Sequence, residues 1–115
     1  MIYSGSCHCG EVAYEVEGNI TAVVNCNCSI CSRKGALLMA VPRDRLRVNK
    51  GEDALASYTF NDRAIVHRFC RTCGMHPFAE HVSAEDGQSA YVNIRCLEGV
   101  DLASVAVIEF DGRSL

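Results

Sequence analysis

Tryptophan is missing from this chain of 115 residues, and proline occurs only twice. No apolar run approaches the ~20 residues that a membrane-spanning helix requires, so no membrane partner is expected. Positive charge is not in excess either. Lys and Arg number 11 against 14 Asp and Glu, a formal net charge of −3. Such a balance, without a basic arm, suits a phosphate backbone poorly, so no nucleic-acid partner is expected. There is no internal repeat, linker or low-complexity tract, and the length fits one domain over residues 1–115. The opening run Met1-Ile2-Tyr3-Ser4-Gly5-Ser6 has neither a basic n-region nor an apolar h-region. The expected setting is therefore cytoplasmic and reducing.

What the chain has in quantity is cysteine, eight in all. They fall into Cys7-His8-Cys9, Cys26-Asn27-Cys28-Ser29-Ile30-Cys31, Cys70-Arg71-Thr72-Cys73-Gly74 and a lone Cys96. In a reducing compartment dense pairs bind metal more often than they form disulfides. A disulfide scaffold is the competing reading, and an unexported chain cannot rely on it.

The polypeptide between these clusters reads as all-β. Residues 2–9 form a short strand, and residues 12–17 alternate apolar and polar side chains at the period of a half-buried strand. Residues 21–25 are rich in β-branched side chains and run into Cys26. Ser29 is placed to cap a helical turn over residues 32–34, which Gly35 ends. Residues 36–41 are apolar throughout and read as a buried strand stopped by Pro42. Strands follow over 55–60 and 64–69, joined by a tight reversal at Asn61-Asp62. Residues 77–79 continue extended, 83–89 are a polar loop, and the last strands cover 90–94 and 105–110. Many short strands with little helix indicate an all-β domain whose strand ends deliver the cysteines.

Spacing then divides the thiols. Cys7 and Cys9, two apart on a strand, face the same way. Cys70 and Cys73 have the C-x-x-C spacing of a zinc knuckle, followed by a glycine that can turn its amides toward sulfur. The two pairs together make a tetrahedral four-cysteine site for one structural zinc, with Zn–S near ~2.3 Å. Cys26, Cys28 and Cys31 can grip a second zinc as a tripod, leaving a fourth position for water or substrate. A coordinated thiol is deprotonated outright, so such a site could hold an incoming thiol as thiolate. Alternatively Cys96 is the fourth ligand of a closed second site, or only a small buried hydrophobe. Spacing alone leaves these open, and with a closed site the chain would be a non-catalytic, zinc-stabilised interaction module.

At these residues the chain resembles the glutathione-dependent formaldehyde-activating family, which includes centromere protein V. The resemblance rests on Gly5-Ser6-Cys7-His8-Cys9-Gly10, the 26–31 cysteine run, Val41-Pro42 with Leu46 and Lys50-Gly51, Ser57-Tyr58-Thr59-Phe60-Asn61 and Phe69-Cys70-Arg71-Thr72-Cys73-Gly74. Cys96-Leu97-Glu98 and Glu109-Phe110-Asp111-Gly112 are similar to the centromere protein V branch. The resemblance implies a β-tent fold of packed antiparallel sheets. It implies a structural zinc on Cys7, Cys9, Cys70 and Cys73 and a catalytic zinc on Cys26, Cys28 and Cys31, two ions in all. It also implies a carbon–sulfur lyase that joins glutathione, or a similar thiol, to formaldehyde or another small aldehyde. Met75-His76-Pro77-Phe78 departs from the family, which often has a small and then an aliphatic residue after the second knuckle. Cys96 is an extra thiol relative to the founding enzymes.

Of the remaining polar residues, Arg33 and Lys34 follow the tripod and are candidates to pair with the carboxylates of a glutathione-like substrate. Their bland reading is a solvated turn, and Arg68 and Arg71 beside the knuckle have the same two readings. His8 is expected to face away from its neighbouring cysteines. His67, His76 and His81 are read as satisfied or exposed histidines ahead of a role beside a zinc thiolate. Tyr58 and Phe60 are read as core residues of an alternating strand.

Overall fold

The computed structural model describes residues 1–60, 63–83 and 87–114, without the side chains of Val82 and Ser83. The expected reversal at Asn61-Asp62 and residues 84–86 of the expected polar loop lie outside the described residues. Ten strands are β1 (Ile2–Ser6), β2 (Ala13–Glu17), β3 (Ala22–Cys26), β4 (Leu38–Pro42), β5 (Leu46–Lys50), β6 (Leu55–Tyr58), β7 (Ile65–Cys70), β8 (Phe78–Ser83), β9 (Gly87–Asn93) and β10 (Ala106–Phe110). Among the described residues the one α-helical turn, α1, spans Cys31–Lys34. None of the described helices is long and apolar enough to cross a membrane.

A three-stranded sheet, in the order β1-β2-β5, lies with a seven-stranded sheet in the order β10-β3-β4-β9-β8-β7-β6. Pairing is antiparallel except that β10 runs parallel to β3, with Ala106 opposite Ala22 and Phe110 opposite Cys26. Parallel neighbours need a long crossover, and the whole chain between β3 and β10 supplies it. The shared core follows from strand alternation. On β2, Tyr14 and Val16 are buried while Glu17 is exposed. Tyr14 meets Phe78 of β8 edge-on, with ring centroids 5.8 Å apart. Val23, Met39, Val41, Leu46, Val92 and Ile94 complete the packing. A Cβ at Gly5 would lie 2.5 Å from the Tyr14 ring, so β1 can cross this ring only as glycine.

Several expectations change in detail. β1 ends at Ser6, and Cys7 to Gly10 form a turn, so the two thiols are not brought together by strand alternation. Residues 36–41 are not buried on both faces, because Ala40 of β4 is exposed where Met39 and Val41 are buried. Ser83 and Gly87 through Ser89, read as loop, belong to the β8–β9 pairing, with Ser83 opposite Gly87. Ser29 does not cap α1, which begins after Ile30 without any side-chain cap. Instead the Cys31 amide donates to Cys28 Sγ at 3.4 Å, so a sulfur satisfies an N–H that a hydroxyl was expected to take.

Candidate metal centre

Each cysteine cluster is built where a strand stops. The chain leaves β1 at Ser6 and turns, with Cys7 N donating to Val12 O at 3.1 Å and Gly10 at φ +82°. β7 ends at Cys70, and the knuckle closes with Gly74 N donating to Cys70 O at 2.8 Å, Gly74 taking φ +77°. These turns gather Cys7, Cys9, Cys70 and Cys73 so that their sulfurs lie within 4.8 Å of one another. Cys9 Sγ stands 3.6 Å from both Cys7 Sγ and Cys70 Sγ. A zinc with bonds of ~2.3 Å needs sulfurs ~3.8 Å apart along the edge of its tetrahedron, so the spacing fits that ion. The Val12 amide also donates to Cys7 Sγ at 3.3 Å. The Glu11 amide favours ionised Cys9, but burial and the crowding sulfurs outweigh it and push that thiol up to about 12. Four thiols so placed cannot all ionise without a cation.

The second group is Cys26, Cys28 and Cys31, again within 4.8 Å of one another and half-buried. Cys26 is the last residue of β3, Cys28 lies in the following turn, and Cys31 opens α1. Burial opposes ionisation of Cys28, yet the Cys31 amide and the neighbouring thiols lower its pKa overall. Cys31 goes the other way, up to about 12, through burial and the Cys28 sulfur beside it. The donor set again calls for a positive ion, and two thiol clusters of this kind suit zinc. The C-terminal segment forms a wall here. Asn27 Nδ2 donates to Asp111 Oδ1 and the Arg113 amide donates to Asn27 Oδ1, both at 2.9 Å. Those bonds press Gly112 so close that a Cβ there would lie 2.6 Å from Cys26 Sγ.

Cys96 stands apart from this trio. Its sulfur accepts from Asn93 Nδ2 at 3.6 Å and points to the His76 carbonyl at 3.7 Å. Burial pushes its thiol up to about 11. Arg33 and Lys34 part company. Arg33 is exposed and donates to the Ser29 carbonyl at 2.7 Å. Lys34 is also exposed as a residue, but its Nζ lies 3.4 Å from His67 Nδ1 and 3.2 Å from His76 Nδ1. Arg68 pairs with Glu80 at 2.9 Å. Arg71 borders an open hollow of about 490 Å³ with Glu11, Lys50 and Asp53, and Glu11 accepts a bond from Thr72 Oγ1 at 2.8 Å.

A second hollow, of about 300 Å³, is more enclosed and apolar; Ile30, which precedes Cys31, and Gly74, which follows Cys73, both line it. Ile30 and Lys34, on either side of Cys31, form one wall, and Tyr58, His67, Phe69 and His76 form the other. Tyr58 is therefore no core residue. It is 52 % exposed and belongs to a ring cluster, its centroid 5.9 Å from Phe60 and 6.4 Å from His67, with Phe60 5.5 Å from His67. Residue alternation was misleading because β6 ends at Tyr58 on the open edge of its sheet. His67 and His76 are buried. Burial first and the Lys34 charge second hold both down to about 4, so both are neutral at pH 7. His76 Nδ1 lies 2.8 Å from the Arg68 carbonyl, which can only accept. The proton is thus on Nδ1, Nε2 keeps its lone pair, and His67 Nδ1 is the acceptor for Lys34. Burial lowers the Lys34 pKa. The sequence hid this trio because it joins α1 to β7 and the segment after the knuckle.

Comparison with known proteins bears on the same residues. The model of a family described as glutathione-dependent formaldehyde-activating enzyme matches residues 2–107. A crystal structure of a Rhodobacter sphaeroides protein is similar at 34 % identity and a TM-score of 0.78, over 91 % of this chain and 99 % of that one. The match of the family model takes in both cysteine clusters and the pocket, and it ends before Gly112.

Proposed function

The chain belongs to the glutathione-dependent formaldehyde-activating family, and from that membership we propose that it is a zinc-dependent carbon–sulfur lyase. Its reaction joins a small thiol, glutathione or a similar one, to formaldehyde or another small aldehyde, or runs in reverse. The observation that carries this reading is a trio of thiols, with Cys96 engaged elsewhere, whose chain neighbours Ile30 and Lys34 line an apolar pocket. We assign Cys7, Cys9, Cys70 and Cys73 to a closed structural site, and Cys26, Cys28 and Cys31 to the working one. The likeness of Cys96-Leu97-Glu98 to the centromere protein V branch supports a place in that branch. Zinc bound at the working site would keep the substrate sulfur ionised at neutral pH and act as a Lewis acid.

The remaining work falls to the chain's own groups. Sulfur forms a bond to the aldehyde carbon, the carbonyl π pair moves to oxygen, and that oxygen takes up a proton. Lys34, His67 and His76 are the nitrogen groups facing the pocket that can supply it or remove it in reverse. Ile30, Phe69 and Tyr58 limit water around the reacting atoms. Exchange NMR on a thiol–formaldehyde mixture tests the proposal. Zinc-loaded protein should speed interconversion of thiol and S-hydroxymethyl adduct, and Cys28→Ala should abolish the effect. Equal exchange rates with and without the protein, across small thiols, would contradict it.

A further inference from the structure

The pocket beside the tripod is a poor match for glutathione, which carries two carboxylates and an ammonium group. Its volume of about 300 Å³ is at the small end for a ligand pocket. Its walls are mainly apolar and aromatic, with Ile30, Phe69 and Tyr58 on two sides. The Tyr58, Phe60 and His67 rings cluster with centroids 5.9, 5.5 and 6.4 Å apart, the Phe60 and His67 planes 19° and the Tyr58 and His67 planes 43° from parallel. Two buried histidines add no charge at neutral pH. One full charge lines the pocket, on Lys34, and among the described residues no carboxylate pairs with it. The Lys34 ammonium lies 3.4 and 3.2 Å from two imidazoles, one of which can only offer it an N–H, and its negative neighbours are the Cys31 and Cys28 sulfurs. Arg33, the second cation expected to meet a glutathione carboxylate, does not line the pocket.

From this juxtaposition we infer that the pocket selects a thiol substrate with a flat apolar body and a single negative charge, in place of glutathione. The ring lies along Tyr58 and His67, and the charge meets Lys34. The inference rests on the proposed lyase reading for its sulfur, but the pocket can be tested without sulfur. The probe is 4-methylphenylacetate, which has the ring and the carboxylate alone. Titrated into zinc-loaded protein, it should shift the His67 and His76 ring resonances to saturation. Tyr58→Ala and Lys34→Met should each weaken that binding at least about fivefold, since each removes one of two recognised features. No saturable shift in the parent, or unchanged affinity in both variants, overturns the inference. In cobalt-substituted protein, 4-mercaptophenylacetate should alter the cobalt absorption at least about tenfold below the concentration glutathione needs. Glutathione acting at equal or lower concentration also overturns it. If the acetate binds while neither thiol touches the cobalt bands, the pocket's ligand class stands and the lyase reading falls.

Discussion

Replacing Gly112 by alanine should loosen the metal that we assign to Cys26, Cys28 and Cys31 and leave the other proposed site intact. Gly112 has no positive φ, so the new methyl group acts through space alone. It would lie 2.6 Å from Cys26 Sγ and 3.2 Å from Cys28 Cβ. An ordinary contact needs ~3.5–4.0 Å, so the sulfur must retreat by about 1 Å. A zinc ligand set tolerates only ~0.2 Å. The alternative is for residues 111–114 to move, which would break the paired bonds that tie Asp111 and Arg113 to Asn27. Disturbing the support of a ligand in this way costs about 10–100-fold in metal affinity. Graded chelation with a coloured competitor should release one zinc equivalent at correspondingly lower chelator and the second where the parent releases it. Asn27→Ala, which frees the same segment without a clash, should give a milder change in the same equivalent. Two equivalents with the parent's release profile in Gly112→Ala would refute the close approach of this segment to the tripod.

Cys73→Ala should lower the melting temperature far more than Cys28→Ala, because the binding energy of a closed structural site is also folding energy. Equal losses in thermal melts of the two variants would count against the division of roles. Cys96→Ser should leave zinc content at the parent level, since its sulfur contacts Asn93 and the His76 carbonyl and not the trio. Loss of one zinc equivalent on metal analysis would contradict that. Stability should also fall in acid through the pocket histidines. Each is held at about 4 in the folded chain against 6.5 when free, so the unfolded chain binds more protons between those limits. Their contribution is complete above pH ~6.5 and is lost as pH falls toward 4. The stability difference between the parent and the His67→Gln/His76→Gln variant, from denaturant titrations, should shrink across that window. A difference that stays constant with pH would show that neither imidazole is held neutral.

Short-range chemistry was plain in the sequence. The C-x-x-C knuckle with its following glycine, the C-x-C-x-x-C run and the alternation over residues 12–17 each express one local rule, and the corresponding turns and strand are present. The convergence of Cys7 and Cys9 was anticipated through strand alternation, yet a turn achieves it. What alternation could not show was assembly across the chain. Lys34 reads as a solvated turn residue until α1 is laid beside β7 and meets His67 and His76. Tyr58 alternates like a core residue, but its strand is the edge of the sheet. The wall at Gly112 depends on β10 pairing parallel with β3, an arrangement that links residues 84 apart, such as Asn27 and Asp111.

X-ray absorption at the zinc edge addresses the open tripod most directly. With one four-cysteine and one three-cysteine site, the mean sulfur coordination of fully loaded protein should be about 3.5 per zinc. An added thiol should raise it to about 4, as its sulfur fills the vacant position of the second ion. A mean of about 4 before any thiol is added, falling on Cys96→Ser, would contradict the account and make the second site a closed one.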